Sequence, residues 1–175
     1  MPGIDVLLLA IVASTPLLLA VEGELVVERA GMINLGIEGM MLTAALTTVL
    51  FGFAGGIAGA LFIALLFGFF TISLGADQIV TGTAGAELAR TGFAENMSAG
   101  RGFIALSIVI FGRWKIKGAL LGSALFGAAA VLQYALQAAS RGVQFHLLLA
   151  VPYVLTLLIL CGIAGRVRAP EALGK

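Results

Sequence analysis

The sequence predicts an all-α, polytopic membrane bundle of about five spanning helices and one half-helix. Three observations predict it. The chain of 175 residues is 61% hydrophobic and only 11% charged, with a mean hydropathy of +1.13. A soluble domain of this length needs far more charge to cover its surface. Residues 39–76, 118–140 and 142–165 carry no Asp, Glu, Lys or Arg, and each run is long enough to cross a hydrocarbon core, which takes about 20 residues in a helix. Finally, no segment shows the short alternating polarity of a membrane barrel.

The first predicted helix covers residues 4–21. It contains Pro16, which membrane helices tolerate as a kink when neighbours satisfy the freed carbonyl. Its start lacks the basic region of a signal peptide and carries Asp5 instead, so it reads as a retained helix. Residues 22–29 read as a polar break. A second helix is expected from Asn34 to Phe53, then a tight turn at Gly55-Gly56, then a third helix over 57–74. One continuous helix over 39–76 would far exceed the bilayer thickness.

Residues 75–102 are the least regular, with Asp77, Glu87, Arg90, Glu95, Arg101 and several glycines. A short helix fits 78–88. Residues 103–112 are apolar but too short to span: ten residues rise about 15 Å. A half-helix or re-entrant segment follows, if protein shields its ends. Arg113-Trp114-Lys115-Ile116-Lys117 is a basic loop with one interfacial aromatic. The last two spanning helices are expected over 118–139 and 145–165. Arg166, Arg168 and Lys175 lie beyond them. The positive-inside rule puts both basic clusters, and hence the C-terminus, in the cytoplasm, with Arg141 a mild exception. Gly52/Gly56, Gly55/Gly59 and Gly118/Gly122 have the spacing that lets helices approach closely in lipid.

Function classes narrow in the same way. The formal net charge is +1 and there is no basic patch, so nothing suggests a nucleic-acid partner. The one cysteine, Cys161, excludes a disulfide framework within the chain. The one histidine, His146, sits in an apolar run, where an interfacial or hydrogen-bonded role is the ordinary reading and a metal or proton-relay role the functional one. No metal-ligand spacing and no phosphate-binding loop of the G-x-x-x-x-G-K-[ST] type occurs. No nucleophile–base pair suggests an enzyme. Asn96-Met97-Ser98 matches a glycosylation triplet only by its short pattern.

Two polar constellations remain. ERAGMINLGIEGMM, at 28–41, sets Glu28, Arg29, Asn34 and Glu38 into apolar sequence. Polar groups at membrane depth usually face a protein interior or a water-filled path. The ordinary reading pairs Glu28 with Arg29, makes Asn34 the cap of the second helix and sets Glu38 against its dipole. The functional reading lines a substrate path, and the two are compatible, because broken helix ends are binding devices in transporters. The second constellation is 95–112, where glycines beside Arg101 at a half-helix start would present free backbone amides to a polar solute. Its ordinary reading is a surface loop with Arg101 paired locally, for example to Glu95.

GELVVERAGMINLGIEGMM at 23–41 and GADQIVTGTA at 75–84 resemble permease subunits of bacterial ABC importers for nucleosides and simple sugars, within the superfamily of branched-chain amino acid and ribose permeases. ENMSAGRGFIALSIVIFGRW at 95–114, GALLGSALFG at 118–127 and the blocks LLLAVPYVLTLLIL and GRVRAPEALGK resemble the same family in order. The resemblance implies a single transmembrane permease domain over 1–175. It implies a multi-pass protein of the bacterial plasma (inner) membrane with no cofactor of its own. Its implied partners are cytoplasmic ABC ATPase subunits that bind ATP, a second permease subunit, an extracytoplasmic solute-binding protein and the lipid bilayer. Asn34, Glu38, Gln78, Asn96 and Arg101 fall at its pathway or core-motif positions. It also implies several more helices and a coupling segment between Ala84 and Gly92. Here a family-like part at 1–84 joins a family-like part at 92–175 through GAELARTGF. An internally truncated, non-transporting remnant, or an ATPase-independent channel or carrier, are the competing readings.

Overall fold

A computed structural model describes residues 2–90 and 100–139, with Val154, Pro170 and Leu173 singly. Every regular element among the described residues is helical: α1 (Pro2–Arg29), α2 (Ile37–Gly68), α3 (Gln78–Arg90), α4 (Arg101–Phe111) and α5 (Ile116–Ala139). A π-helical turn, Phe69–Ser73, extends α2. Three stretches are long and apolar enough to cross a membrane: Asp5–Arg29, Ile37–Ser73 and Ile116–Leu136. The all-α membrane bundle is therefore the observed fold class. Apart from Val154, the expected helix over 145–165 lies outside the described residues, together with Asn96, His146, Cys161 and the C-terminal basic residues.

α1 is longer than predicted. Residues 22–29 are helical, not a polar break. Charge does not stop a helix; a terminating backbone does. The Gly31 N–H donates to the Glu28 carbonyl and the Met32 N–H to the Val27 carbonyl. These two bonds form a Schellman motif, and Gly31 takes the left-handed position at φ 96° that it demands. Inside α1, the hydroxyls of Ser14 and Thr15 donate to the carbonyls of Ala10 and Ile11 at 2.6 and 2.8 Å, so neither faces lipid unsatisfied.

α2 is a hairpin in all but name. Gly52 breaks it at φ 73°, ψ −171°, a region open essentially to glycine alone. The residues on either side then fold back on one another. A Cβ at Gly56 would collide with the Thr48 hydroxyl and lie 3.1 Å from the Ala44 carbonyl, and one at Gly59 would collide with Thr47. Residues 12 apart in a straight helix are separated by about 18 Å. Two antiparallel arms, as the sequence predicts, are thus present. The reversal sits at Gly52 rather than at Gly55-Gly56, which are helical and serve as packing surface instead.

The chain divides into two compact units. The first comprises Met1–Leu25 and Ser107–Ala169, the second Val26–Leu106 and Pro170–Lys175. In the first, the start of α5 folds back on the end of α4: a Cβ on Gly118 would strike the Gly112 backbone, and one on Gly122 would sit 2.6 Å from Ile108 Cγ2. This is the close approach that the Gly118/Gly122 spacing predicts. A Cβ on Gly127 would collide with Ser14 of α1. Leu17, Val21, Ile108, Val109, Ala119 and Phe126 are buried in this unit. Trp114, the aromatic of the basic stretch, is also buried against the protein. The apolar half-helix expected at 103–112 is α4, 11 residues long.

Candidate functional site

The second unit holds the polar constellation, and it is built from helix starts. After Gly31 the chain runs without regular structure to Gly36, and α2 begins at Ile37. Asn34 does not cap it. The residue before α2 is Gly36, without a side-chain cap, and the Asn34 Oδ1 accepts from the Gly36 N–H at 3.0 Å. This local bond orders the approach to the helix, as Asx turns do. Asn34 Nδ2 also reaches Met40 Sδ at 3.6 Å. The side chain is buried.

α3 starts at Gln78, where the sequence predicts a helix start. Asp77 Oδ1 accepts from the N–H groups of Ile79 and Val80, both at 2.9 Å, which is the geometry of an N-cap. The Gln78 Oε1 accepts from the Ile33 N–H at 2.6 Å, across 45 residues of sequence. Small residues let the two backbones meet beyond that bond. A Cβ on Gly82 would lie 2.7 Å from the Gly36 nitrogen, and one on Gly39 would lie 2.8 Å from the Ala86 Cα and the Gly85 carbonyl. The pairs 33/78, 36/82 and 39/86 advance together, so the first turns of α2 and α3 run in the same direction.

α4 joins the same place. The Gly102 N–H donates to the Glu38 Oε2 at 2.6 Å. A Cβ on Gly102 would sit 2.7 Å from both the Glu38 nitrogen and its Cα. Glu38 is buried and belongs to the first turn of α2. Its carboxylate therefore meets the positive ends of two helix dipoles, its own and that of α4. A charge-assisted bond of this kind is roughly twice as strong as a neutral one. The expectation of a free amide at the start of α4 is corrected at Gly102: Glu38 occupies it.

Of the predicted site residues, Asn34, Glu38 and Gln78 come together at this junction, each accepting a hydrogen bond from backbone. Arg101 adjoins it on α4 with an exposed side chain, and Asn96 lies outside the described residues. Sequence reasoning missed Asp77 as a cap and Gly36, Gly39, Gly82 and Gly102 as contact points. The signals were present: an Asp just before a helix, and the small residues Gly82 and Ala86 four apart. Glu28, one turn before Gly31, is buried while its neighbour Arg29 is exposed. Among the described residues no three His, Cys, Asp or Glu side chains could hold a metal ion. The arrangement is thus a polar clamp on three helix starts, set in apolar surroundings.

Comparison with known proteins adds direction. Over 84 residues the chain is 38% identical to the guanosine ABC transporter permease protein NupQ of Bacillus subtilis (strain 168). The similarity is to nucleoside permeases. That match covers 47% of this chain and 26% of NupQ. The nucleoside ABC transporter permease protein NupC of Lactococcus lactis subsp. cremoris (strain MG1363) is 35% identical over 102 residues, which is 55% of this chain and 32% of NupC. The chain thus matches about a third or less of the length of these curated relatives. No family model and no solved structure matches it.

Proposed function

We propose that this chain is a membrane-spanning permease subunit of an ABC importer and moves nucleosides or related sugars across the bacterial plasma membrane. The observation that carries the reading is the similarity to two nucleoside permeases, over 84 and 102 residues, in a chain whose long helices suit a bilayer. In this reading the chain performs no covalent chemistry. Separate cytoplasmic ATPases bind and hydrolyse ATP, a second permease subunit completes the path, and a binding protein delivers the solute. The C-terminus faces the cytoplasm.

The clamp of Asn34, Glu38 and Gln78 suits alternating access. Packed helices have discrete arrangements, and a partner that favours one of them shifts the population. α4 has 11 residues and rises about 16 Å. If its far end lies at the membrane surface, its Gly102 end lies near mid-bilayer, where transporters hold their solutes. Release of Glu38 from Gly102 would expose a carboxylate and an amide to a solute rich in hydroxyls and ring nitrogens. Arg101 and Asn96 flank the same helix start in sequence.

The test is association. The tagged chain is expressed with the ATPase subunit of a nucleoside importer, extracted gently and purified. Retention of the ATPase at fixed stoichiometry is expected. An intact, helical chain that retains none would contradict the importer reading.

A further inference from the structure

The turn between α4 and α5 carries side chains that the fold itself disfavours. α4 ends as α1 does, in a Schellman motif: the Arg113 N–H donates to the Ile110 carbonyl and the Trp114 N–H to the Val109 carbonyl. α1 places Gly31 at the left-handed position, but α4 places Arg113 there at φ 55°, followed by Trp114 at φ 54°. Glycine is the residue this backbone prefers. Lys115 then stands immediately before α5, its carbonyl accepting the helix's first backbone bond from the Ala119 N–H. Asn, Asp, Ser or Thr is favoured at that position. Lys117 follows in the first turn of α5, where a helix dipole favours carboxylates and opposes cations.

Arg113, Lys115 and Lys117 are all exposed. No Asp or Glu lies between Glu95 and Glu171, so their own stretch of sequence supplies no carboxylate to offset them. The C-terminus of α4 does favour the charge of Arg113, whereas the start of α5 opposes that of the two lysines. Their position is informative. Arg113 and Lys115 precede the span Ile116–Leu136 and Lys117 lies in its first turn, so all three fall at one end of a helix long and apolar enough to cross a bilayer, the end where phospholipid headgroups would meet it. Trp114, between Arg113 and Lys115 in sequence, is buried, and the backbone bonds on either side fix the turn.

We infer that Arg113, Lys115 and Lys117 form a docking surface for the phosphates of anionic phospholipids. The two lysines trade local helix stability for attraction to an anionic leaflet, to which all three cations contribute roughly five-fold in binding each near the surface. Lipid rather than a protein surface is favoured because the three exposed cations fall within five residues, on a turn fixed by backbone bonds at the end of a helix long and apolar enough to cross a bilayer. The proposed surface shares no residue with the Glu38 clamp and does not depend on a nucleoside substrate.

Trp114 is the chain's one tryptophan and reports directly on this turn. The full chain is reconstituted in vesicles of phosphatidylcholine mixed with phosphatidylglycerol, one or the other brominated, and the quenching of Trp114 gives the relative affinity of the two lipids. Preference for phosphatidylglycerol of several-fold at low salt is expected. It should vanish in the R113Q/K115Q/K117Q variant and persist in the charge-retaining R113K/K115R/K117R variant. Helix content and the Trp114 emission maximum in pure phosphatidylcholine report whether each variant is folded; if the triple glutamine variant is not, K115Q/K117Q replaces it, and most of the preference should still be lost. Equal quenching by the two lipids in the wild type would overturn the proposal, as would a folded glutamine variant that keeps the preference. Loss of ATPase capture by that variant with unchanged lipid preference would assign the cations to a protein partner and likewise refute it.

Discussion

At the residue scale, the central pair is Glu38 and Gly102. The sequence marks Glu38 as unusual, because a carboxylate amid apolar residues must find a partner or a polar path. It does not disclose the partner, which lies 64 residues away and is a backbone amide, invisible to any side-chain pattern. The glycines at the clamp were illegible for a related reason. Gly36, Gly39 and Gly82 touch other backbone, and such contacts leave no hydrophobic period. Their importance is measurable. Gly102→Ala drives a methyl group into the Glu38 backbone and should destabilise the protein by about 1–3 kcal/mol, as overpacking does. Gly23, with nothing within 4 Å of its built Cβ, is the control. Gly23→Ala should be neutral or stabilise by up to about 1 kcal/mol, since alanine is the better helix former. Denaturant titration of helix content in detergent compares them, and equal effects at the two sites would argue against a clamped Gly102.

At the element scale, the sequence located helices better than it located their ends. Uninterrupted apolar runs announced α1, both arms of α2, and α5, because a bilayer demands length and hydrophobicity together. The end of α1 was misread because Glu22, Glu24 and Glu28 look like loop, whereas the stop is set by the backbone at Gly31. The reversal in α2 was misplaced by a few residues because three glycines compete for it between 52 and 56. Only the conformation at Gly52 decides, and Gly55, Gly56 and Gly59 are kept small by helix contact. The hairpin itself has a direct check. In a background with Cys161→Ser, cysteines at Ala44 and Ala60 would stand about 24 Å apart along one straight helix. Between packed antiparallel arms they stand near the usual interaxial distance of about 8–10 Å. Ready oxidative cross-linking of Ala44→Cys with Ala60→Cys is expected; its failure, alongside unchanged helix content, would favour a straight helix.

At the scale of the whole molecule, apolar composition and a few polar motifs point one way, and the similarity to nucleoside permeases points the same way. Asn34, Glu38 and Gln78 hold three helix starts in a helical membrane protein, and the proposed function has their rearrangement pass a solute under the control of a separate ATPase. Composition and spacing do not name the solute, and the side chains of Asn34, Glu38 and Gln78 each accept from the protein's own backbone. Transport therefore has to be observed. The most direct measurement is uptake of labelled guanosine by cells that lack their own nucleoside importers and express this chain with the ATPase, permease and binding-protein partners of such a system. The account predicts uptake that depends on this chain and stops when the ATPase active site is inactivated. Uptake indifferent to the ATPase would indicate a channel or carrier, and no uptake from a folded, correctly assembled complex would contradict a transporting permease.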